Sequence, residues 1–208
     1  MTDMHAACAS TEEAREEFER LCHLFAGLMN HIIASGRWVL GWEGTVEFFE
    51  QHQEWLVSIG KQLGVPALFK LMPEMSHYYA MKNEFQAITA NGANVQISTV
   101  QWDVKDGERF DIGYIDEQGQ KQPCPVILHA SSFGSIERAL CAILENIAIE
   151  AGRGVAPMFP LWLSPTQVRV IPVSDKHIVP AREVLHKLQV RKIRADLDDR
   201  DETLGRKI

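Results

Sequence analysis

Residues Pro125-Val-Ile-Leu-His-Ala-Ser-Ser-Phe-Gly-Ser-Ile-Glu-Arg138 change period partway along. Up to His129 the run is apolar and β-branched, as in a strand; beyond it Ile136, Leu140, Ile143, Leu144 and Ile147 share one helical face, and Gly152 and Gly154 end the helix. Arg138 falls on the first turn of that helix, where a guanidinium can fork onto phosphate oxygens while the helix N-terminus faces the same anion.

Upstream, segments near 67–72, 83–90, 94–104, 109–115 and 124–129 are rich in β-branched and aromatic residues. Turn signals such as Asn91-Gly92, Lys105-Asp106-Gly107 and Gln118-Gly119 separate them. These short connections predict an antiparallel meander. Before it, Ser10 and Glu13 have capping-box spacing and Phe18, Leu21, Cys22, Phe25, Leu28, Met29 and Ile32 recur at helical intervals, which predicts a helix from Thr11 to Ile33. Trp38-Val39-Leu40 reads as a strand, and a second helix carrying Phe49, Leu56, Ile59 and Leu63 stops at Gly64 and Pro66. The fold class is therefore α+β with an antiparallel sheet.

Downstream, Pro157-Met-Phe-Pro-Leu-Trp-Leu-Ser-Pro165 holds three prolines, too many for regular structure. The charge changes sign there. Residues 1–160 carry 11 Lys+Arg against 21 Asp+Glu, and 161–208 carry 10 against 7, so −10 gives way to +3. We place a domain boundary between 160 and 161. Beyond it a strand over 167–173, a helix over 179–188 and a strand over 192–197 begin a βαβ unit, the start of an α/β domain that stops at Ile208 without a closing strand. The net charge of −7 argues against a general nucleic-acid coat, while the basic bias of the last part is compatible with phosphate contact. No apolar run approaches the roughly 18 residues of a membrane span and no signal-like segment opens the chain, which predicts a cytoplasmic address without membrane contact. Cys8, Cys22, Cys124 and Cys141 form no Cys-x-x-Cys pair, and Cys22 and Cys141 fall on apolar helix faces, so reduced thiols are expected.

The segment 125–138 resembles motif 3 of the class II aminoacyl-tRNA synthetases in its threonyl form. Phe159-Pro-Leu-Trp-Leu-Ser-Pro-Thr-Gln-Val168 resembles that family's passage into the anticodon-binding domain. Ala195-Asp-Leu-Asp-Asp-Arg-Asp-Glu-Thr-Leu-Gly-Arg-Lys-Ile208 is similar to the next signature of that domain, and Met1-Thr-Asp-Met-His5 to the end of motif 2. The likeness runs the length of the chain and is closer to the archaeal type, because Ala-Ser follows His129 where bacterial-type members carry Arg-Ala. It implies that 1–160 is the later part of a class II catalytic domain, from the end of motif 2 through motif 3, and 161–208 the first part of an anticodon-binding domain.

The resemblance further implies a ligase that joins threonine to tRNA(Thr) through a threonyl-adenylate, with ATP and Mg²⁺, as a cytoplasmic homodimer when intact. Arg138 matches the motif 3 arginine on ATP. Gln96 matches an ATP-binding position. Asp3, Tyr79, Gln101 and Ser135 match threonine-binding positions, and Lys82 lies beside the reacting carboxylate. His5 and His129 match two zinc ligands. In the family, zinc keeps an open position for the amino and hydroxyl groups of threonine, which rejects valine, although serine has both groups. The third ligand is a cysteine upstream of motif 2 that nothing here matches. Cys8 falls beyond the ligand position, so the chain alone is expected to be inactive. Asp201 and Glu202 match a helix start that meets anticodon bases.

Ala80 and Met81 stand where relatives carry Gly-Pro, and Thr2 stands where archaeal-type relatives carry proline. Strand alternation puts Ile97 and Thr99 on the face of Gln101 and Gln96 on the opposite one, unless a bulge near Ser98 shifts the register. Two alternatives stand beside the leading one: a sister class II enzyme for proline, glycine or serine, and a non-catalytic tRNA-binding relative.

Overall fold

The structure is a computed structural model that describes residues 2–33 and 36–208. Met1, the first residue of the stretch likened to motif 2, lies outside them. The chain divides into two compact units, Met1–Pro157 and Met158–Ile208.

In chain order the first unit contains β1 (Met4–Cys8), α1 (Thr11–Ile32), β2 (Trp38–Thr45), α2 (Val46–Leu63), β3 (Ala67–Met72), β4 (Tyr79–Ile88) and β5 (Asn94–Asp103). The short α3 (Asp106–Arg109), β6 (Gly113–Ile115), β7 (Lys121–Pro123), β8 (Val126–Ser131) and α4 (Ile136–Ala151) complete it. Six strands form one sheet in the order β1-β8-β5-β4-β2-β3. Every neighbouring pair is antiparallel except β2 and β3, which run parallel through α2. The expected meander is thus corrected. Only β4 and β5 are sequential hairpin neighbours in the main sheet, because β2 intervenes between β3 and β4, and β6 and β7 form a sheet of their own between β5 and β8 in the chain. Of the expected strand 109–115 only Gly113–Ile115 is extended, and it pairs with β7 in a small hairpin outside the main sheet.

One face of the sheet carries the core. Trp38, Leu40 and Trp42 of β2, Met81 and Phe85 of β4, Val100 and Trp102 of β5 and Leu128 of β8 are buried against Phe18, Leu21, Cys22, Phe25 and Met29 of α1 and Leu56 and Ile59 of α2. Aromatic rings knit the layers. Phe18 lies 6.1 Å from Trp42 and 6.0 Å from Trp102, and Trp55 lies 5.7 Å from Trp102. The α1 terminus forms as its spacing predicts: Ser10 Oγ accepts from Glu13 N at 3.1 Å and Glu13 Oε2 accepts from Ala9 N at 2.7 Å. β2 runs five residues beyond the expected Leu40, since Gly41 and Gly44 hide its alternation from a propensity reading.

The four cysteines are free, and Cys141 is exposed rather than on a buried face. The apolar face of α4 is partly open: Ile136, Leu140 and Leu144 are 70%, 41% and 51% exposed, while Ile143 of the same stripe is buried. Periodicity identifies an apolar stripe without saying what covers it.

The second unit holds β9 (Val168–Val170), α5 (Ile178–Val190), β10 (Ala195–Leu197) and the single-turn α6 (Leu204–Lys207). β9 and β10 pair in parallel, as the βαβ reading requires. Its ion pairs include Arg169 with Asp196 at 2.7 Å and Arg182 with Asp199 at 2.8 Å. No helix among the described residues is long and apolar enough to cross a membrane.

Candidate functional site

The face of the sheet opposite the core is polar across its full width. His5 of β1 lies opposite His129 of β8, which lies opposite Gln101 of β5, followed in register by Lys82 of β4, Glu43 of β2 and Lys70 of β3. A residue directly across a ladder projects from the same face, so one residue from each strand forms a continuous row.

At the β1 end of this row lies a cavity of about 330 Å³, lined by Asp3, His5, Tyr78, Gln96, Ile97, Thr99, Gln101, His129, Ala130, Ser131, Gly134 and Arg138. It gathers Asp3, His5, Gln96, Gln101, His129 and Arg138 from positions as far apart as 3 and 138 in the sequence. A larger cavity of about 480 Å³ beside the β6–β7 hairpin holds none of the expected residues.

The conflict between Gln96 and Gln101 is settled by the backbone. Ser98 pairs with Phe85 and Gln96 with Gln86, so Ile97 is an extra residue in β5. That bulge shifts the facing by one and brings both glutamines to the cavity. Gly134 sits against it: at φ +56°, a Cβ there would lie 2.6 Å from the Ile97 carbonyl oxygen. A second bulge, at Ala80 in β4, lies beside Gly44, where a Cβ would come within 2.5 Å of the Ala80 carbonyl oxygen. Ala80 is the residue that replaces the family's glycine, and it is accommodated within this irregularity.

His129 is held tightly. Its Nε2 lies 2.8 Å from Asp103 Oδ2, and Asp103 is itself fixed by accepting from Lys105 N and Asp106 N at 2.7 and 2.9 Å. Its ring meets His5 edge-on at 4.6 Å. His5 Nε2 lies 3.9 Å from Asp3 Oδ1. Two imidazoles on facing residues of adjacent strands, one buttressed by a carboxylate, suit a metal such as zinc. They are two donors of the four that zinc takes. Cys8 does not extend the set. Three residues past His5 it points to the other face, and burial, followed by Glu13 and Glu17, pushes its thiol up to about 11, away from the thiolate that zinc requires. Among the described residues, a further group, Asp103, Asp106 and His129, places its ligand atoms within 4.8 Å of one another.

Thr2 laces the start of β1 to the loop before α4. Its backbone N donates to Gly134 O at 3.3 Å, a bond proline could not make, and Ser131 Oγ donates to Thr2 O at 2.6 Å. Ser135 caps α4, its Oγ accepting from Arg138 N at 3.3 Å, which sets Arg138 at the mouth of the cavity.

Tyr79 and Lys82 do not line the cavity. Tyr79 donates to Glu43 Oε1 at 2.9 Å; Lys82 Nζ lies 2.7 Å from Glu84 Oε1 and 3.5 Å from Glu43 Oε1. Burial pulls the Lys82 pKa down, but the bond and charge of Glu84, with Tyr79 and Glu43, outweigh it and hold the ammonium above its ordinary range. Glu43 also meets Lys70 at 2.7 Å. Asp201 and Glu202 belong to the other unit, exposed just ahead of α6. The sequence reading placed Thr99 on the face of Gln101 without a role, and missed Tyr78, Asp103 and Glu43. For Asp103 the signal was its even spacing from Gln101; Tyr78 and Glu43 carry none without the tertiary pairing.

Residues 1–147 match the family described as tRNA synthetase class II core domain (G, H, P, S and T), and residues 167–208 match the anticodon binding domain family. Threonine–tRNA ligases of Methanobrevibacter smithii and Methanocaldococcus jannaschii are each 40% identical over the whole chain, which covers 34% of either relative. The chain thus spans about a third of the length of the curated relatives it matches. A crystal structure of the RNA binding domain of threonyl-tRNA synthetase from Cryptosporidium parvum Iowa II superposes with a TM-score of 0.73 at 27% identity, over 99% of this chain and 50% of that one. A threonyl-tRNA synthetase structure from Aeropyrum pernix shares the fold, with a TM-score of 0.65 at 18% identity over 94% of this chain and 46% of that one. With its first 147 residues matching the core domain over the sheet that builds the cavity, the chain belongs to the class II tRNA synthetase family.

Proposed function

We propose that the full-length protein containing this chain is a threonine–tRNA ligase. One observation carries the reading: His5 and His129 face each other at 4.6 Å in a cavity that also receives Gln96, Gln101 and Arg138. The 40% identity to threonine–tRNA ligases over the whole chain supports threonine over proline, glycine or serine. The same assembled cavity argues against a non-catalytic relative.

Activation joins a carboxylate oxygen of threonine to the α-phosphorus of ATP and releases pyrophosphate; transfer then joins the threonyl carbonyl to a tRNA hydroxyl and releases AMP. Both steps ask mainly for positioning and charge stabilisation. Arg138, at the N-terminal turn of α4, binds phosphate oxygens together with the positive end of the helix. Gln96 reads the nucleotide. Gln101, Asp3 and Ser135 orient the amino acid. Lys82 and Tyr79, one strand over and engaged with Glu84 and Glu43 outside the cavity, would approach its carboxylate only by turning from those partners. Mg²⁺ accompanies ATP. His5 and His129 would hold zinc with a cysteine from elsewhere in the protein, and the metal would supply the open position that binds the amino and hydroxyl groups of threonine. Residues 1–160 would form the catalytic part and 161–208 the anticodon part, in which Asp201 and Glu202 would meet anticodon bases. The protein would act on threonine, ATP and tRNA(Thr) as a cytoplasmic homodimer.

The test is His129→Ala in the full-length protein, measured by bound zinc and by threonine-dependent exchange of pyrophosphate into ATP. Both should be lost together. Retained metal with normal preference for threonine over valine would overturn the assignment.

A further inference from the structure

Tyr78 precedes β4 and faces two of the residues just described. Its ring lies 5.0 Å from that of His129, and its hydroxyl donates to Gln101 Oε1. A glutamine side chain has an accepting end and a donating end of nearly the same shape, and its partner decides which end a ligand meets. We propose that Tyr78 is a positioning residue: by occupying the carbonyl of Gln101 it commits the amide NH₂ to the cavity, so that the site selects an amino acid presenting an acceptor oxygen beside the histidine pair.

Two features make the phenol suited to this. Its ring packs against His129, itself fixed by Asp103 at 2.8 Å, so the phenol and the amide it orients share a rigid support. Tyr79 packs perpendicular to it at 5.5 Å. A ligand with a methyl group in place of the acceptor leaves the NH₂ unpaired, and that penalty adds to any rejection the metal provides.

This rests on the proposed function only for the identity of the amino acid. The experiment is Tyr78→Phe in the full-length protein, which removes one oxygen and keeps the ring against His129. The KM for threonine should rise about three- to tenfold, as expected for one neutral hydrogen bond. The kcat should stay within about twofold, with the KM for ATP and the zinc content unchanged. In the 208-residue chain labelled with ¹⁵N-glutamine, the same substitution should move the side-chain amide resonances of Gln101 and leave those of Gln96 in place. An unchanged KM for threonine overturns the inference, and so does a loss of zinc accompanying the rise, because the ring would then be supporting the metal ligand instead of the amide. If the wild-type protein activates a different amino acid, the threonine reading fails. The KM of that amino acid then decides the inference by the same criterion, a rise supporting it and no change overturning it.

Discussion

Glu43 sits near the middle of the polar row and touches Lys70, Tyr79 and Lys82 at 2.7, 2.9 and 3.5 Å. Burial pushes its carboxyl up, but the bonds from Lys70 and Tyr79 and the charge of Lys82 outweigh that and hold it below the ordinary carboxylate range. A carboxyl whose folded pKa is depressed contributes stability that is present above its unfolded pKa, about 4.3, and is lost as pH falls through the folded value. Glu43→Gln should therefore lower stability at pH 7 by roughly 1 kcal/mol, since Lys70 is mostly exposed and adds little. It should also flatten the decline in stability on acidification below about pH 5. Urea titrations at pH 7 and pH 4 check this; equal losses at both pH values would remove the carboxylate from the account. At this scale the sequence was informative where a motif fixed the residue. It was silent on Glu43 and Tyr78, whose partners lie 36 and 23 residues away.

The elements were the most legible level. Helix α1 follows its apolar period and its cap, and α2 ends at Gly64 with φ +66°, the left-handed conformation a C-terminal glycine supplies. The bulge needed to align Gln96 with Gln101 could be expected near Ser98 because the matched ATP-binding and threonine-binding positions had to share one face, which strict alternation forbids. What holds it there could not be expected, because Gly134 comes from the loop after β8. Gly134→Ala adds a side chain at positive φ and drives it into the Ile97 carbonyl, which should cost about 1–3 kcal/mol. By displacing the bulge it should also weaken ATP binding in the full-length protein. A shift in unfolding free energy below about 0.5 kcal/mol would show that the loop relaxes freely. The antiparallel meander failed at this level for a plain reason: short connections suggest hairpins, but β2 lies between β3 and β4, and β6 pairs with β7 outside the main sheet.

Across the whole molecule, the cavity is built from one edge of the sheet, the loop before α4 and the first turn of α4. The chain supplies two imidazoles where zinc takes four donors, leaves Ile136, Leu140 and Leu144 of the α4 stripe exposed and covers 34% of its curated relatives. We expect the purified 208-residue chain not to catalyse threonine-dependent exchange of pyrophosphate into ATP, and measurable exchange above a protein-free control would refute this.

The sequence by itself determined the helices, the strand-to-helix passage at 125–138 and the βαβ start of the second unit, and its motifs pointed to Asp3, His5, Gln96, Gln101, His129 and Arg138, which the fold gathers around one cavity. Those elements are local properties, set by period, caps and spacing. Tertiary structure alone decided that β3 runs parallel to β2, that His5 meets His129, that Tyr79 and Lys82 stand apart with Glu43, and that Tyr78 orients Gln101. Each of these depends on which strand lies beside which and in what register, and register is set by the packing of the buried face against α1 and α2, which no single segment encodes.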